Sequence, residues 1–285
     1  MDVLVAGIGR KYADLAASLL AKDHAVTGFG AAAHQTVETI IGDRSDAAAV
    51  AAAVRGRDAV VDAHTASSGD GLDAHFESIA GTAILLDAAA GAGVPTFVRG
   101  STNLVMHGYE MRHAPAIYAA DHPLVVSPTD RMWPTNVYGA ANAFAEHLTR
   151  QYAENEPWAV AHLDTTTHDH PETVHVVRWG VLRTGPYDHP WGDAERGVDE
   201  GWWDRDEPAY RRARDRMRAA WCSVRDFGQL LDRAVTDESP GHHVHFAVSD
   251  NEARWFDLTS AIDVLEYEPA DSADEWSGPP DRGQH

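Results

Sequence analysis

The chain opens on a short aliphatic run, VLVAG (Val3–Gly7), followed by an alanine-rich stretch from Tyr12 to Ala21. That pairing recurs. AVTGFG and TIIGD read as further strands, a helix is predicted from about Asp46 to Val54, and DAVVDAH reads as the next strand. A long helix is expected over roughly Asp73 to Ala90, then the strand PTFVRGST, and later a helix over about Val137 to Tyr152. Short β-branched runs alternating with helices imply βαβ units and a parallel sheet. Helices covering both faces bury such a sheet, which explains strands that are apolar throughout rather than at alternate positions. The expected class is α/β, with a doubly wound parallel sheet.

The second half changes character. HLDTTTHDHPE reads as a polar loop, and VHVVRWG returns to the sheet. Residues 186–209 are rich in Pro, Gly, Trp and acid, which predicts an irregular excursion over a pocket. Helices near Tyr210–Ala220 and Val224–Thr236 lead to HHVHFAVS, a further strand, and the chain from about Ala270 is acidic and loop-like. The division that follows is a core over 1–180 and a substrate-binding region with an acidic tail over 181–285, within which 225–250 returns to the core. The chain shows no internal repeat.

Charge alters the picture more than composition does. The 285 residues carry 23 Lys+Arg against 44 Asp+Glu, a formal net charge of −21, and the only lysines are Lys11 and Lys22. The acids are spread along the chain among apolar segments, unlike a disordered acidic tail. Self-repulsion on this scale is tolerated where salt shortens the Debye length to about 3 Å, at 1 M. The expected setting is a salt-rich cytoplasm. The same charge argues against nucleic acid as a partner, since that needs a basic face. A single cysteine, Cys222, allows no intrachain disulfide and is expected to be a buried thiol. No basic leader precedes the first strand, and the longest apolar run, Ala47 to Val54, is far too short to span a bilayer.

Candidate chemistry begins at Gly7-Ile8-Gly9-Arg10-Lys11-Tyr12-Ala13, between the first strand and its helix. A glycine-rich turn there lets backbone amides meet a pyrophosphate. Gly7 and Gly9 meet the needs for a tight turn and close approach; the third glycine's place falls on Tyr12, with Ala13 as its alternative. A tight turn of any α/β protein is the competing reading. The second strand ends at Gly28-Phe29-Gly30 without the acid that usually grips the adenosine ribose. Asp43, after the third strand, is a candidate adenine contact or simply an Asx turn. In NVYGAANAFAEHL, Tyr138 is followed one helical turn later by Asn142, where a lysine would share the tyrosine's pocket.

The order of IIGDRSD, GRDAVVDAH, GTAILLDAAAGAGVPTFV, GSTNLVMHGYE, SPTDRMWPTNVYGAANAFAEHL and AVSDNEARWFDLTSAIDVLEYEP resembles the extended short-chain dehydrogenase/reductases. Within them the likeness is to the uronate dehydrogenases and the NAD-dependent glucose-6-phosphate dehydrogenases of haloarchaea. It implies a Rossmann-like core, NAD or NADP as cofactor, a sugar or sugar phosphate as substrate, and a homodimer. It also implies roles: Tyr138 as acid/base, Thr102 on the substrate hydroxyl, Asn103 as a substrate contact, and Arg216 on the substrate's anionic group, with Arg212 and Arg214 as alternates. Gly7, Gly9 and Asp43 would serve the cofactor. The departures are Tyr12, Gly30, Ser78 in place of an asparagine, Leu104 in place of a histidine, and Asn142 in place of the catalytic lysine.

The missing lysine has a physical cost. A phenol of ordinary pKa ~10 is a poor base at neutral pH. An ammonium at ~4 Å stabilises the phenolate by about 4 kcal/mol at an effective dielectric of ~20, whereas a neutral amide offers about 1.5–3 kcal/mol. Arg131 and His107 are the substitute cations the sequence suggests. Two readings follow: an NAD(P)-dependent sugar oxidoreductase, or a non-catalytic relative that keeps the sheet as a binding or regulatory module. The histidine clusters His168-Asp169-His170 and His242-His243-x-His245 are expected to face solvent rather than hold zinc, lacking a Cys partner or an H-E-x-x-H helix. Trp191, Trp202 and Trp203 are read as anchors of the irregular loop, with a sugar-stacking lid as the alternative.

Overall fold

The computed structural model describes residues 1–67, 69–154 and 171–280. Its strands and helices run β1 (Asp2–Ile8), α1 (Lys11–Leu20), β2 (Ala25–Gly30), β3 (Glu38–Ile41), α2 (Ala47–Val54), β4 (Ala59–Asp62), α3 (Leu72–Gly91), β5 (Thr96–Thr102), α4 (His107–His113) and α5 (Val137–Ala153). They continue with β6 (Thr173–Trp179), β7 (Val181–Leu182), α6 (Gly192–Asp199), α7 (Pro208–Ala220), β8 (Trp221–Cys222), α8 (Val224–Thr236), β9 (Gly241–Ala247) and α9 (Thr259–Leu265). Seven strands form one parallel sheet in the order β3-β2-β1-β4-β5-β6-β9. The order reverses between β1 and β4, and a crevice at the carboxyl ends of the strands at such a reversal is where this architecture takes its ligands.

The chain divides into two compact units: Met1–Val105, Pro134–Val177 and Leu231–Val244 form the first, and Met106–Trp133, Arg178–Leu230 and His245–His285 the second. The first unit packs Leu4, Phe29, Val60, Leu85, Leu86 and Phe97 into a closed apolar core. Local chemistry sets its edges. Asp46 caps α2 by accepting from the amides of Ala48 and Ala49, a contribution of about 1 kcal/mol. Asn136 caps α5 through a 2.7 Å bond from the Gly139 amide. A Cβ on Gly139 would lie 2.6 Å from the carbonyl oxygen of Leu104. Only glycine lets α5 press this closely on the end of β5.

The second unit corrects two expectations. The stretch 186–209 is not irregular throughout: α6 lies within it, because Trp191 and Ala194 find Tyr210 of α7 and bury a shared apolar face. Trp191 is therefore a core residue, while Trp202 is exposed. The acidic tail is also tied down as far as it is described. Ser223 and Arg225 donate to Asp271, the amide of Ala273 donates to Asn251, and Arg218 donates to the carbonyl of Trp276. Cys222 is buried, and burial pushes its thiol well up.

The histidines of β9 do not simply face solvent. His243 stacks on His175 with ring centroids 5.3 Å apart, His242 Nε2 lies 3.0 Å from the Thr149 hydroxyl, and His245 is fully buried with Nδ1 3.0 Å from Ser260. Among the described residues no group of three or more His, Cys, Asp or Glu is placed to hold a metal ion. The cluster at His168 and His170 lies outside the described residues. No helix among the described residues is long and apolar enough to cross a membrane.

Candidate active site

A cavity of about 730 Å³ opens at the sheet's point of reversal. Gly7, Gly9 and Arg10 line it on one side, Gly30 at the end of β2, Asp43 and Arg44 after β3, His64 after β4, and Glu77 and Gly81 of α3 on the others. Gly7 and Gly9 have φ values of +105° and +95°, which only glycine adopts without strain. A Cβ on Gly7 would fall 2.7 Å from that of His64, so the turn and the end of β4 meet without a side chain between them.

Gly30 has an equally specific cause. The β1–β2 register shifts by one residue between Ala6 and Ile8, which brings Ile8 opposite Gly30. A Cβ there would lie 2.2 Å from the Ile8 carbonyl oxygen. No acid fits at this position; the short turn leaves only hydrogen. Asp43 lines the cavity, and its carboxylate also accepts a 2.8 Å bond from the Ser45 amide, the Asx turn weighed against adenine contact. Ala13 is buried on the face of α1, the small residue at close helix–sheet packing, whereas Tyr12 is half-buried.

A buried charge cluster lies beside the cavity. Asp62 and Arg99 are paired across β4 and β5, so their side chains share a face. Asp62 accepts from Thr82 at 2.7 Å, with Arg44 Nη2 2.9 Å from Oδ1 and Arg99 Nη1 3.7 Å from Oδ2. Burial alone raises the Asp62 carboxyl, but the two guanidinium groups and Thr82 outweigh it and hold it below the ordinary range. One carboxylate thus faces two guanidinium groups. Arg99 is well bonded, to the carbonyls of Asp62 and His64 at 3.1 Å and to Asn142 Oδ1 at 3.2 Å. Arg44 is bonded less fully: its Nη2 pairs with Asp62 at 2.9 Å, but its buried Nη1 makes no hydrogen bond. Burial pulls Arg44 down from its ordinary value, with Asp62 opposing and Arg99 adding to the fall. His64 is pushed to about 3 by burial and by Arg44, so it is neutral at physiological pH.

Tyr138 and Thr102 come together as expected. The Tyr138 phenol lies within electrostatic reach of the Thr65 and Thr102 hydroxyls, and the His75 ring meets its own edge-on at 6.2 Å. Burial raises the phenol above its ordinary value; Tyr12 adds to this, while Thr65, Thr102 and the charge of Arg99 pull the other way without winning. Asn142 does not stand in for a lysine. Its Nδ2 donates to the backbone carbonyl of Tyr138 at 2.9 Å and its Oδ1 accepts from Arg99, so both ends of the amide are committed. Asn103 is buried beside Thr102, with its Nδ2 unpartnered.

The substitute cations suggested from sequence, His107 and Arg131, belong to the second unit. So does Arg216, which meets Glu110 through Nε at 2.6 Å and Nη2 at 3.3 Å. Sequence reasoning missed Arg44, Arg99, Asp62 and Thr65. Two of them carried a signal: a charged residue inside the apolar strands DAVVDAH and PTFVRGST has to find a partner when buried.

A parallel sheet wound in this order, with a positive-φ glycine turn opening onto a cavity at the reversal, defines a Rossmann-like nucleotide-binding protein. Residues 8–120 match the family model for NAD(P)H binding, which makes this segment an NAD(P)H-binding domain. Similar proteins include sugar dehydrogenases. The chain is 28% identical over 250 residues to the NAD-dependent glucose-6-phosphate dehydrogenase of Haloferax volcanii, covering 85% of this chain and 79% of that one. It is 28% identical over 279 residues to the L-arabinose 1-dehydrogenase (NAD(P)(+)) of the same organism, covering 95% and 97%. The uronate dehydrogenase structure from Agrobacterium tumefaciens superposes with a TM-score of 0.68 at 22% identity, over 99% of this chain and 91% of that one, a likeness of fold.

Proposed function

We propose that the protein is an NAD(P)-dependent oxidoreductase acting on a sugar or sugar phosphate, with Tyr138 as the group that exchanges a proton with the reacting oxygen. One observation carries this reading: the Tyr138 phenol lies within electrostatic reach of Thr102 at the end of β5, in the same unit as the cavity of the NAD(P)H-binding domain. The residues present fit the adenosine half of such a cofactor through Gly7, Gly30 and Asp43. When bound, the cofactor would supply or accept hydride.

The state of the phenol selects the direction. With its pKa raised by burial, Tyr138 is protonated throughout the neutral range, so it is a competent acid and a weak base. The reaction supported best is reduction: Tyr138 gives its proton to a sugar carbonyl oxygen as the carbon receives hydride. Thr102 would orient that oxygen, and the unpartnered Nδ2 of Asn103 would donate to a neighbouring hydroxyl. Oxidation of the alcohol requires the phenolate, and its rate is expected to rise about tenfold per pH unit through neutrality. Exposed apolar residues Leu72 and Phe76 on α3 and Val137 and Phe144 on α5 support pairing of two copies.

Tyr12 favours a second reading. It adds to the rise of the Tyr138 phenol, so the chain would be a nucleotide-binding module without turnover. The experiment that separates the two is a titration with NADH followed by turnover assays on aldonate lactones and keto sugars. Saturable binding with reduction lost by roughly 10²–10⁴-fold in Tyr138→Phe supports the enzyme. Binding without any turnover supports the module, and no binding defeats both.

A further inference from the structure

The first turn is poorly equipped to hold an anion by itself. The amide of Gly9 already donates to the Asp14 carboxylate at 2.9 Å. That carboxylate also stands in the first turn of α1, where it opposes a phosphate by like charge. Among the lining residues of the cavity, Arg10 and Arg44 supply the positive charge and Asp43 and Glu77 the negative.

We infer that Arg44, assisted by Arg10, is the receptor for the diphosphate of an adenine nucleotide, taking over the role the glycine-rich turn has given up. Three features support this beyond charge. First, Asp62 has a second guanidinium in Arg99, so Arg44 can turn away without stranding a buried carboxylate. Second, Asp62 reaches Arg44 only at Nη2, so the equally buried Nη1 has no hydrogen-bond acceptor, and an anion provides one. Third, Gly81 leaves the notch in which the Arg44 guanidinium rests; a Cβ there would lie 2.9 Å from its Nε. In the ligand-free state Arg44 is thus a surplus buried cation, and an entering diphosphate neutralises it. Arg10 is already partly exposed and reaches Asp70 at 3.3 Å, so it can contribute from the rim.

This inference rests on the cavity being the nucleotide site of the proposed oxidoreductase, and calorimetric titration separates the two claims. ADP, adenosine and NADH are titrated into the wild type, Arg44→Leu and Arg44→Lys, and the melting temperature of each ligand-free protein is recorded. The wild type is expected to prefer ADP over adenosine by roughly tenfold to a hundredfold. Arg44→Leu should erase that preference and weaken NADH in proportion, Arg44→Lys should restore part of it, and the ligand-free Arg44→Leu protein should melt no lower than the wild type. An Arg44→Leu protein that melts lower yet keeps the full preference for ADP overturns the inference and leaves the cavity's assignment standing. A wild type that binds neither ADP nor NADH overturns both.

Discussion

Two buried carboxylates, one in each unit, carry the contrast in this molecule. In the second unit Glu110 is saturated: Arg216 meets it through two nitrogens, the Tyr118 hydroxyl donates at 2.7 Å, and His107 lies 3.7 Å away. One acid faces one guanidinium, and the pair is closed. In the first unit Asp62 faces two guanidinium groups, and the one lining the cavity has a buried Nη1 without a hydrogen bond. A neutral, fully bonded pair explains itself as structure. A surplus charge beside a cavity does not, because the fold bears its desolvation without return until something anionic arrives.

The largest expected effect tests the charge count directly. Asp62→Asn leaves Arg44 and Arg99 buried together, and chemical denaturation should show a loss on the order of 3–5 kcal/mol. Adding Arg44→Leu to that variant should recover part of the loss; a double variant no more stable than the single one would break the contrast. Glu110→Gln is expected to cost less, about 3 kcal/mol or below, because Arg216 keeps 30% of its side chain exposed and can turn to water.

Acid sharpens the comparison further. His64 and His175, both in the first unit, are held down to about 3, chiefly by burial. An unfolded histidine takes a proton near pH 6.5 while these refuse it until about pH 3. The unfolded chain therefore binds more protons across that window, and stability falls as pH falls through it, by up to about 1.4 kcal/mol per pH unit for each histidine. Replacing either with leucine should flatten that part of a denaturation–pH profile. The smallest effect concerns Asn142→Lys. An ammonium there should move the oxidation rate's pH profile downward by one to three units, roughly, with a modest loss of stability because Arg99 loses its acceptor. An unchanged profile would mean that Tyr138 is not the titrating group.

Much of the fold was legible because its signal is local. Apolar runs such as VLVAG and DAVVDAH, separated by alanine-rich helices, admit little besides a parallel sheet. The pairing of Tyr138 with Thr102 was legible through resemblance. What escaped depends on register and distance. The one-residue shift at Ile8 that excludes a side chain from position 30 cannot be read from a strand alone. Arg44 lay in a turn, where a charged residue is ordinarily solvated, and nothing nearby in sequence pointed to Asp62. The helix over Gly192–Asp199 was hidden by glycine and tryptophan, residues whose helical packing here depends on Tyr210 in the next helix.

On the proposed reading the Tyr138 phenol, raised by burial, stays protonated at neutral pH and works as an acid. An ultraviolet difference titration of the wild type against Tyr138→Phe measures this without a substrate. The predicted result is no phenolate attributable to residue 138 near neutrality, since burial lifts the group above its ordinary value. A difference signal titrating near neutrality, lost in the phenylalanine variant, would contradict it.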